Sequence, residues 1–215
     1  EQTKSKYQKI VDIIALVIAS GLCIFQLYSA SFGTWSSFVL SAVHWGVIGS
    51  YIILRNPTKL KGAGPVIDWL MIAATVFICI YQIQMQERMV MSAGFYTNMD
   101  VVVGIVAILL VLEIGRRSVG KILPIIVGYC YFGHYVPGLL KTARFAVKRI
   151  AVFIYTSSDG LFGQTLYVSA KYIFLFILFG SILELTGAGK WFVDLAYAAV
   201  GKSRGGPAQA AVYSS

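Results

Sequence analysis

The chain is 215 residues long, with 58% hydrophobic and only 13% charged residues. A soluble domain of that length needs more polar surface to cover itself, so the composition excludes an ordinary soluble enzyme or binding module and points to an integral membrane protein. The formal charge of +9 then belongs to Lys and Arg that flank spans and meet lipid headgroups, and no nucleic-acid partner is expected.

The first apolar run is too long for the h-region of a signal peptide, and no small-residue cleavage site separates it from a soluble domain, so a cleavable signal peptide is not expected. A bilayer core takes about 20 apolar residues as helix. Ile10–Tyr28, Trp35–Leu54 and Val66–Met85 meet that length, and Met99–Gly115 falls slightly short of it. Ile122–Pro137 is a fifth segment, shorter again, with Pro124 tolerated in its first turn. Leu166–Gly187 is a sixth. No alternating ten-residue pattern repeats, so a β-barrel is not expected.

Lys and Arg near span ends set orientation. Lys4, Lys6 and Lys9 precede the first span, and the loop Ser29–Thr34 carries none. Arg55, Lys59 and Lys61 follow the second span, Arg88 alone follows the third, and Arg116, Arg117 and Lys121 follow the fourth. This alternation places the N-terminus in the cytoplasm and makes the first four spans a bundle with both ends inside. After the fifth segment the rule breaks. Leu139–Thr156 belongs outside by counting, yet Lys141, Arg144 and Lys148 form one basic stripe at helical spacing. The pattern predicts an amphipathic helix lying in the membrane surface, with a re-entrant fifth segment as the alternative.

Beyond the sixth span, Gly187 and Gly189 are expected to break the helix, and Trp191–Val200 is a helix too short to cross. Lys202 and Arg204 mark a cytoplasmic turn. "GGPAQAAVYSS" then reads as the first turns of a seventh span. The fold class is therefore an all-α integral membrane protein: about six transmembrane helices, a membrane-parallel amphipathic helix and a seventh span begun at the C-terminus. A composition shift near Gly138–Thr142 divides it into a four-span module (1–120), a connecting helix (121–140) and a second module (141–215).

Ionisable groups within spans are expensive and often functional. Glu113 precedes Arg116 by three residues and Arg117 by four, a spacing that a helical ion pair explains. Glu184, with Lys171 at the far end of its span, is either an end marker that snorkels to the interface or a group facing a cytoplasmic cavity. His44, in mid-span, is expected to bond a neighbouring helix rather than bind a metal, and Gln26, Gln82 and Gln84 are expected to join helices. Arg55, Lys59, Lys61, Arg116 and Arg117 are expected cytoplasmic and lipid-headgroup anchors. Trp35, Trp69 and Trp191 fit an aromatic belt. Cys23, Cys79 and Cys130 all lie in apolar runs, so no disulfide framework or cysteine metal site is expected. Walker A, HExxH, GxSxG and Cys/His ligand patterns are missing from the sequence, so catalysis, ATP hydrolysis and a bound cofactor are not expected.

The stretch "VSAKYIFLFILFGSILELTGAGKWFVDLAYAAVGKSRGGPAQAAV" resembles the start of the large permease subunit of TRAP (tripartite ATP-independent periplasmic) transporters. Its telling pieces are "FLFILFG", "GAG" with an aromatic pair, "DLAYAAVG" and "RGGPA". Upstream, "DVVVGIVAILLVLEIGRRSVGKILPIIVGYCYFGHYVPG" resembles the region where a small four-span subunit is fused to the large one, a form typical of the TAXI subclass. The resemblance implies a multi-pass protein of a bacterial or archaeal inner membrane. It implies uptake of an organic anion, driven by a sodium or proton gradient and fed by a soluble TAXI-type binding protein. Ion and substrate residues are expected in hairpins beyond Ser215, so the chain as given is not expected to transport alone without the remainder of the large subunit. Its part would be scaffolding and docking, with Tyr96, Thr97, Asn98 and Lys141 near the docking surface. The alternatives are a free-standing membrane scaffold with no transport cycle and a channel; a channel would need a polar pore stripe.

Overall fold

The computed structural model describes residues 6–33, 35–58, 63–91, 96–132, 147–200 and 212, and every regular element among them is helical. In chain order these are α1 (Lys6–Phe32), α2 (Ser37–Arg55), α3 (Gly64–Met91), α4 (Asn98–Ser118), α5 (Ile122–Phe132), α6 (Val147–Thr156), α7 (Gln164–Val168), α8 (Phe174–Leu185) and α9 (Ala188–Val200). A π-helical turn, Ser169–Ile173, links α7 to α8.

Local chemistry sets the ends. Gly33 adopts a left-handed conformation (φ 61°) and donates its N–H to Ser29 O at 2.9 Å, which closes α1. The Ser36 side chain caps α2 by accepting from Val39 N at 3.3 Å. That helix stops ahead of Pro57, because the residue before a proline is pushed out of helical geometry. Thr97 and Asp100 form a reciprocal capping box at the start of α4.

Five helical stretches are long and apolar enough to cross a membrane: Gln8–Phe32, Ser37–Arg55, Gly64–Arg88, Asn98–Ser118 and Gln164–Leu185. They cover the first four expected spans and the sixth. The fifth segment is described as a helix of 11 residues, about 16 Å at 1.5 Å per residue; its expected extension to Pro137 lies outside the described residues, as does His134. Gly187 breaks the chain between α8 and α9 with φ 75°, whereas Gly189 lies inside α9. One glycine in the left-handed region is sufficient for the break. The seventh span begun at Pro207 lies outside the described residues apart from Val212.

The chain divides into two compact units, Glu1–Lys171 and Tyr172–Ser215. In the first, α2 packs against α1, α3, α4 and α7. Small residues allow close approach, as membrane helices require. A Cβ on Gly49 would stand 3.0 Å from Ile114 Cδ1, and Gly46 lies directly against Cys79. The core collects Ala42, Trp45, Ile53, Ile78, Val103, Leu110, Tyr155 and Phe162 from five parts of the chain. In the second unit α8 and α9 pack together, and neither buries a residue.

The expected amphipathic segment forms a helix, and part of its apolar face is covered by protein. Ile150, Ala151, Val152 and Tyr155 of α6 are buried, and the helix packs on α4. Gly104 allows it: a Cβ there would come 2.8 Å from the Ala151 carbonyl oxygen. Ile150, Ala151, Val152 and Tyr155 thus meet protein, while Val147 and Phe153 stay exposed. Lys148 remains exposed at the start of α6, while Lys141 and Arg144 lie outside the described residues.

Candidate functional site

Side-chain chemistry in the first unit gathers at three levels. At one end, Arg116 donates to Glu113 from Nε and Nη2 at 2.7 and 2.6 Å, and Arg117 donates from Nε at 2.8 Å. This is the helical ion pair that the spacing predicts. Arg117 goes further. Its Nη1 donates to Asp68 Oδ1 at 2.8 Å and to the Asn56 carbonyl at 3.0 Å, and its Nη2 donates to Thr58 Oγ1 at 2.7 Å. Thr58 in turn donates to Asp68 from its backbone N–H and its hydroxyl, at 2.9 and 2.6 Å. The planar guanidinium ties α4 to both sides of the α2–α3 connection, a task that suits its fixed fork of donors.

Arg117 therefore departs from the anchor expectation: its side chain is 5% exposed and turned into protein. Arg116 and Arg55 are about half exposed, and Arg55 pairs with Asp12 of α1 at 3.0 Å. Lys59 and Lys61 lie outside the described residues. Asp68 and Thr58 were not singled out from the sequence; the available signal was that Asp68 is the one carboxylate within Val66–Met85.

At the opposite end Asp100 is 1% exposed and saturated. It accepts from Arg88 Nη2 and from Tyr81 OH, both at 2.6 Å, and from the Thr97 backbone N–H and hydroxyl at 2.8 Å. Ser36 Oγ donates to Gln86 Oε1 at 3.0 Å at the same end. Thr97, expected near a docking surface, is thus committed to the helix start, while Tyr96 and Asn98 are exposed beside it. Lys141 lies outside the described residues.

Midway, His44 meets Gln26 Nε2 through Nδ1 at 2.6 Å and Ser169 Oγ through Nε2 at 3.5 Å. It bonds a neighbouring helix, as expected of a lone buried histidine. Gln26 fulfils the joining role. Gln82 is buried with its Oε1 unpartnered, and Gln84 is exposed. An aromatic chain runs beside this level: Tyr81–Tyr155 at 6.4 Å, Tyr155–Phe162 at 5.6 Å and Phe162–Trp45 at 5.7 Å between centroids. Burial pushes the Tyr155 phenol above its ordinary pKa, so the ring stays neutral within this chain. Glu184 is exposed in the last turn of α8. Trp35, Trp69 and Trp191 are each about half exposed. The buried hydrogen bonds and ring contacts among these groups hold helices together.

A family profile described as "Tripartite ATP-independent periplasmic transporter, DctM component" matches residues 106–215, just over half the chain. The chain belongs to this DctM family. It is accordingly a membrane component of a TRAP transporter, a multi-pass inner-membrane protein of a transporter rather than an enzyme family, and the family works with a periplasmic binding protein. Neither a curated protein nor a solved structure gives a significant match. The DctM match starts inside α4, eight residues after its first residue, and continues through α5, α6 and α7. Family sequence therefore includes Arg117, which binds the α2–α3 connection and α3, and Phe162 and Ser169, which meet Trp45 and His44 of α2.

Proposed function

We propose that this DctM-family chain is the fixed part of a TRAP permease in which a small four-span module (1–120) is fused through a connector (121–140) to the start of a large subunit (141–215). The transporter imports a carboxylate-type organic anion on a sodium or proton gradient, and a TAXI-type binding protein delivers it. The coupling ion and the substrate bind beyond Ser215, and this portion scaffolds and docks.

One observation carries the reading. The family match begins within α4, and that same helix is hydrogen-bonded to the end of α2 and to α3 by Arg117 and packs closely on α6 at Gly104. Four-span and large-subunit sequence share one packed body, as a fused scaffold needs. Orientation has its own support. Arg55, Arg116 and Arg117 gather at one end with the Asn56–Thr58 connection. Arg88 stands at the other end and is neutralised by Asp100. By the positive-inside rule the first end is cytoplasmic. The Tyr96–Asn98 loop is then periplasmic, held rigid by the Asp100 network and facing the binding protein. Arg55 and Arg116, with Lys59 and Lys61, anchor the cytoplasmic face. Glu184 faces the cytoplasmic side of the second module.

The test is docking of the purified binding protein onto the permease in nanodiscs, followed by interferometry. Replacing Tyr96 and Asn98 with Ala is expected to weaken association at least tenfold. Unchanged association would remove this loop from the docking surface.

A further inference from the structure

Helices α1 and α2 run antiparallel and are pinned to each other at two heights. Asp12 pairs with Arg55 at 3.0 Å, and Gln26 meets His44 at 2.6 Å. In such a pair, one turn forward along α1 matches one turn back along α2. Ser29 lies three residues after Gln26, and Ser41 lies three before His44, each on the same helix face as its neighbour. The register therefore sets Ser29 opposite Ser41, one turn beyond the Gln26–His44 contact. All four residues are buried, and Gln26 and Ser41 are 2% and 0% exposed.

The bonding within this polar layer is incomplete. An amide nitrogen offers no acceptor, so Gln26 Nε2 donates and His44 Nδ1 accepts. That orientation turns Gln26 Oε1 away from the ring. Gln26 Oε1 and Ser41 Oγ are both buried with no hydrogen-bond partner among the described residues. A buried polar atom left this way costs free energy, and native structures hold few of them. Here two occur in one helix pair, a single turn apart. One is an acceptor and the other is a hydroxyl that can donate or accept. A water molecule, with two donors and two lone pairs, complements both. A cation does not, because the layer holds no carboxylate and neutral oxygens alone would not offset the loss of its hydration.

We propose that an internal water molecule bridges α1 and α2 in this layer, donating to Gln26 Oε1 and bonded to Ser41 Oγ and Ser29 Oγ. Three polar partners are the usual complement of a buried water. The water fixes the Gln26 amide with its nitrogen on His44. The His44 ring then keeps its proton on Nε2, which faces Ser169 Oγ at 3.5 Å. The bridge does not rest on the transport reading.

Water-edited solid-state NMR on the full chain in nanodiscs, labelled in Gln, Ser and Ala, tests the bridge. Magnetisation transfer from water to the Gln26 side-chain amide is expected to exceed that to Ala15, a wholly buried apolar control, by roughly threefold or more, as contact with a bound water requires. Ser41→Val fills the site and is expected to bring the Gln26 transfer down to the control level. Ser41→Ala is expected to lower the thermal midpoint by about 2–4 °C, because the water loses a partner. Removing a hydroxyl that bonds nothing would raise the midpoint instead. Control-level transfer in wild type, transfer that Ser41→Val does not reduce, or a midpoint that Ser41→Ala leaves unchanged or raises overturns the bridge. Transfer that appears only with sodium present assigns the site to an ion and overturns it as well. Should Ser41→Val fail to fold, the wild-type transfer and the Ser41→Ala midpoint decide the question. None of these readouts uses uptake, so loss of the bridge leaves the permease reading standing, and failed uptake leaves the bridge standing.

Discussion

Arg117 Nη1 donates to Asp68 Oδ1 across 2.8 Å, joining two helices through residues 49 positions apart. Both side chains are turned from solvent, and Arg117 also holds Glu113, Asn56 and Thr58. Removing one partner would strand the other's charge in a low-dielectric setting. Arg117→Ala is therefore expected to destabilise the first unit by about 3–5 kcal/mol, read as unfolding in nanodiscs. Arg117→Lys should recover only part of that, because an ammonium cannot reproduce the fork. A loss under about 1 kcal/mol for Arg117→Ala would show that the pair is not a structural tie.

Gly104 and Gly21 make a matched pair. A Cβ at Gly104 would press on the Ala151 carbonyl at 2.8 Å, whereas nothing lies within 4 Å of one at Gly21. Gly104→Ala is expected to cost about 1–3 kcal/mol through overpacking. Gly21→Ala should be neutral or gain up to about 1 kcal/mol of helix propensity. Equal effects at the two sites would contradict the α4–α6 packing.

The outer loop separates structure from surface. Thr97→Ala removes the cap and is expected to cost about 1 kcal/mol. Tyr96→Ala should change stability by less than about 0.5 kcal/mol while weakening binding-protein association. The reverse pattern, with Tyr96 structural and Thr97 silent, would contradict the capping geometry.

Gln26 and His44 should couple. A double-mutant cycle with Gln26→Ala and His44→Ala is expected to return an interaction of about 0.5–1.5 kcal/mol. A value of zero would mean that the 2.6 Å contact holds nothing.

Much of this fold was legible in the chain. Apolar length alone located five spans, because a bilayer sets a minimum that any crossing helix must meet. Glu113 with Arg116 and Arg117 was legible because their spacing is local. Asp68 with Arg117 was not, since no local pattern reports a partner 49 residues away. The α6 segment shows why amphipathicity is ambiguous. Its pattern says that one face is apolar but not whether lipid or protein covers it; Gly104, on another helix, decides. The π turn had no signature in "YVSAKYIF" at all, since residue types there suit an uninterrupted helix. The inward turn of Arg117 is not legible either, because a basic residue at a span end marks orientation whether it faces headgroups or the bundle.

Binding-protein-dependent uptake tests the central claim most directly. The complete transporter in proteoliposomes, given a labelled carboxylate pool, an inward sodium or proton gradient and the purified binding protein, is expected to accumulate label. Accumulation should fall to background when the gradient is collapsed or the binding protein is left out. Uptake that persists without the binding protein would contradict a TRAP permease function for this chain.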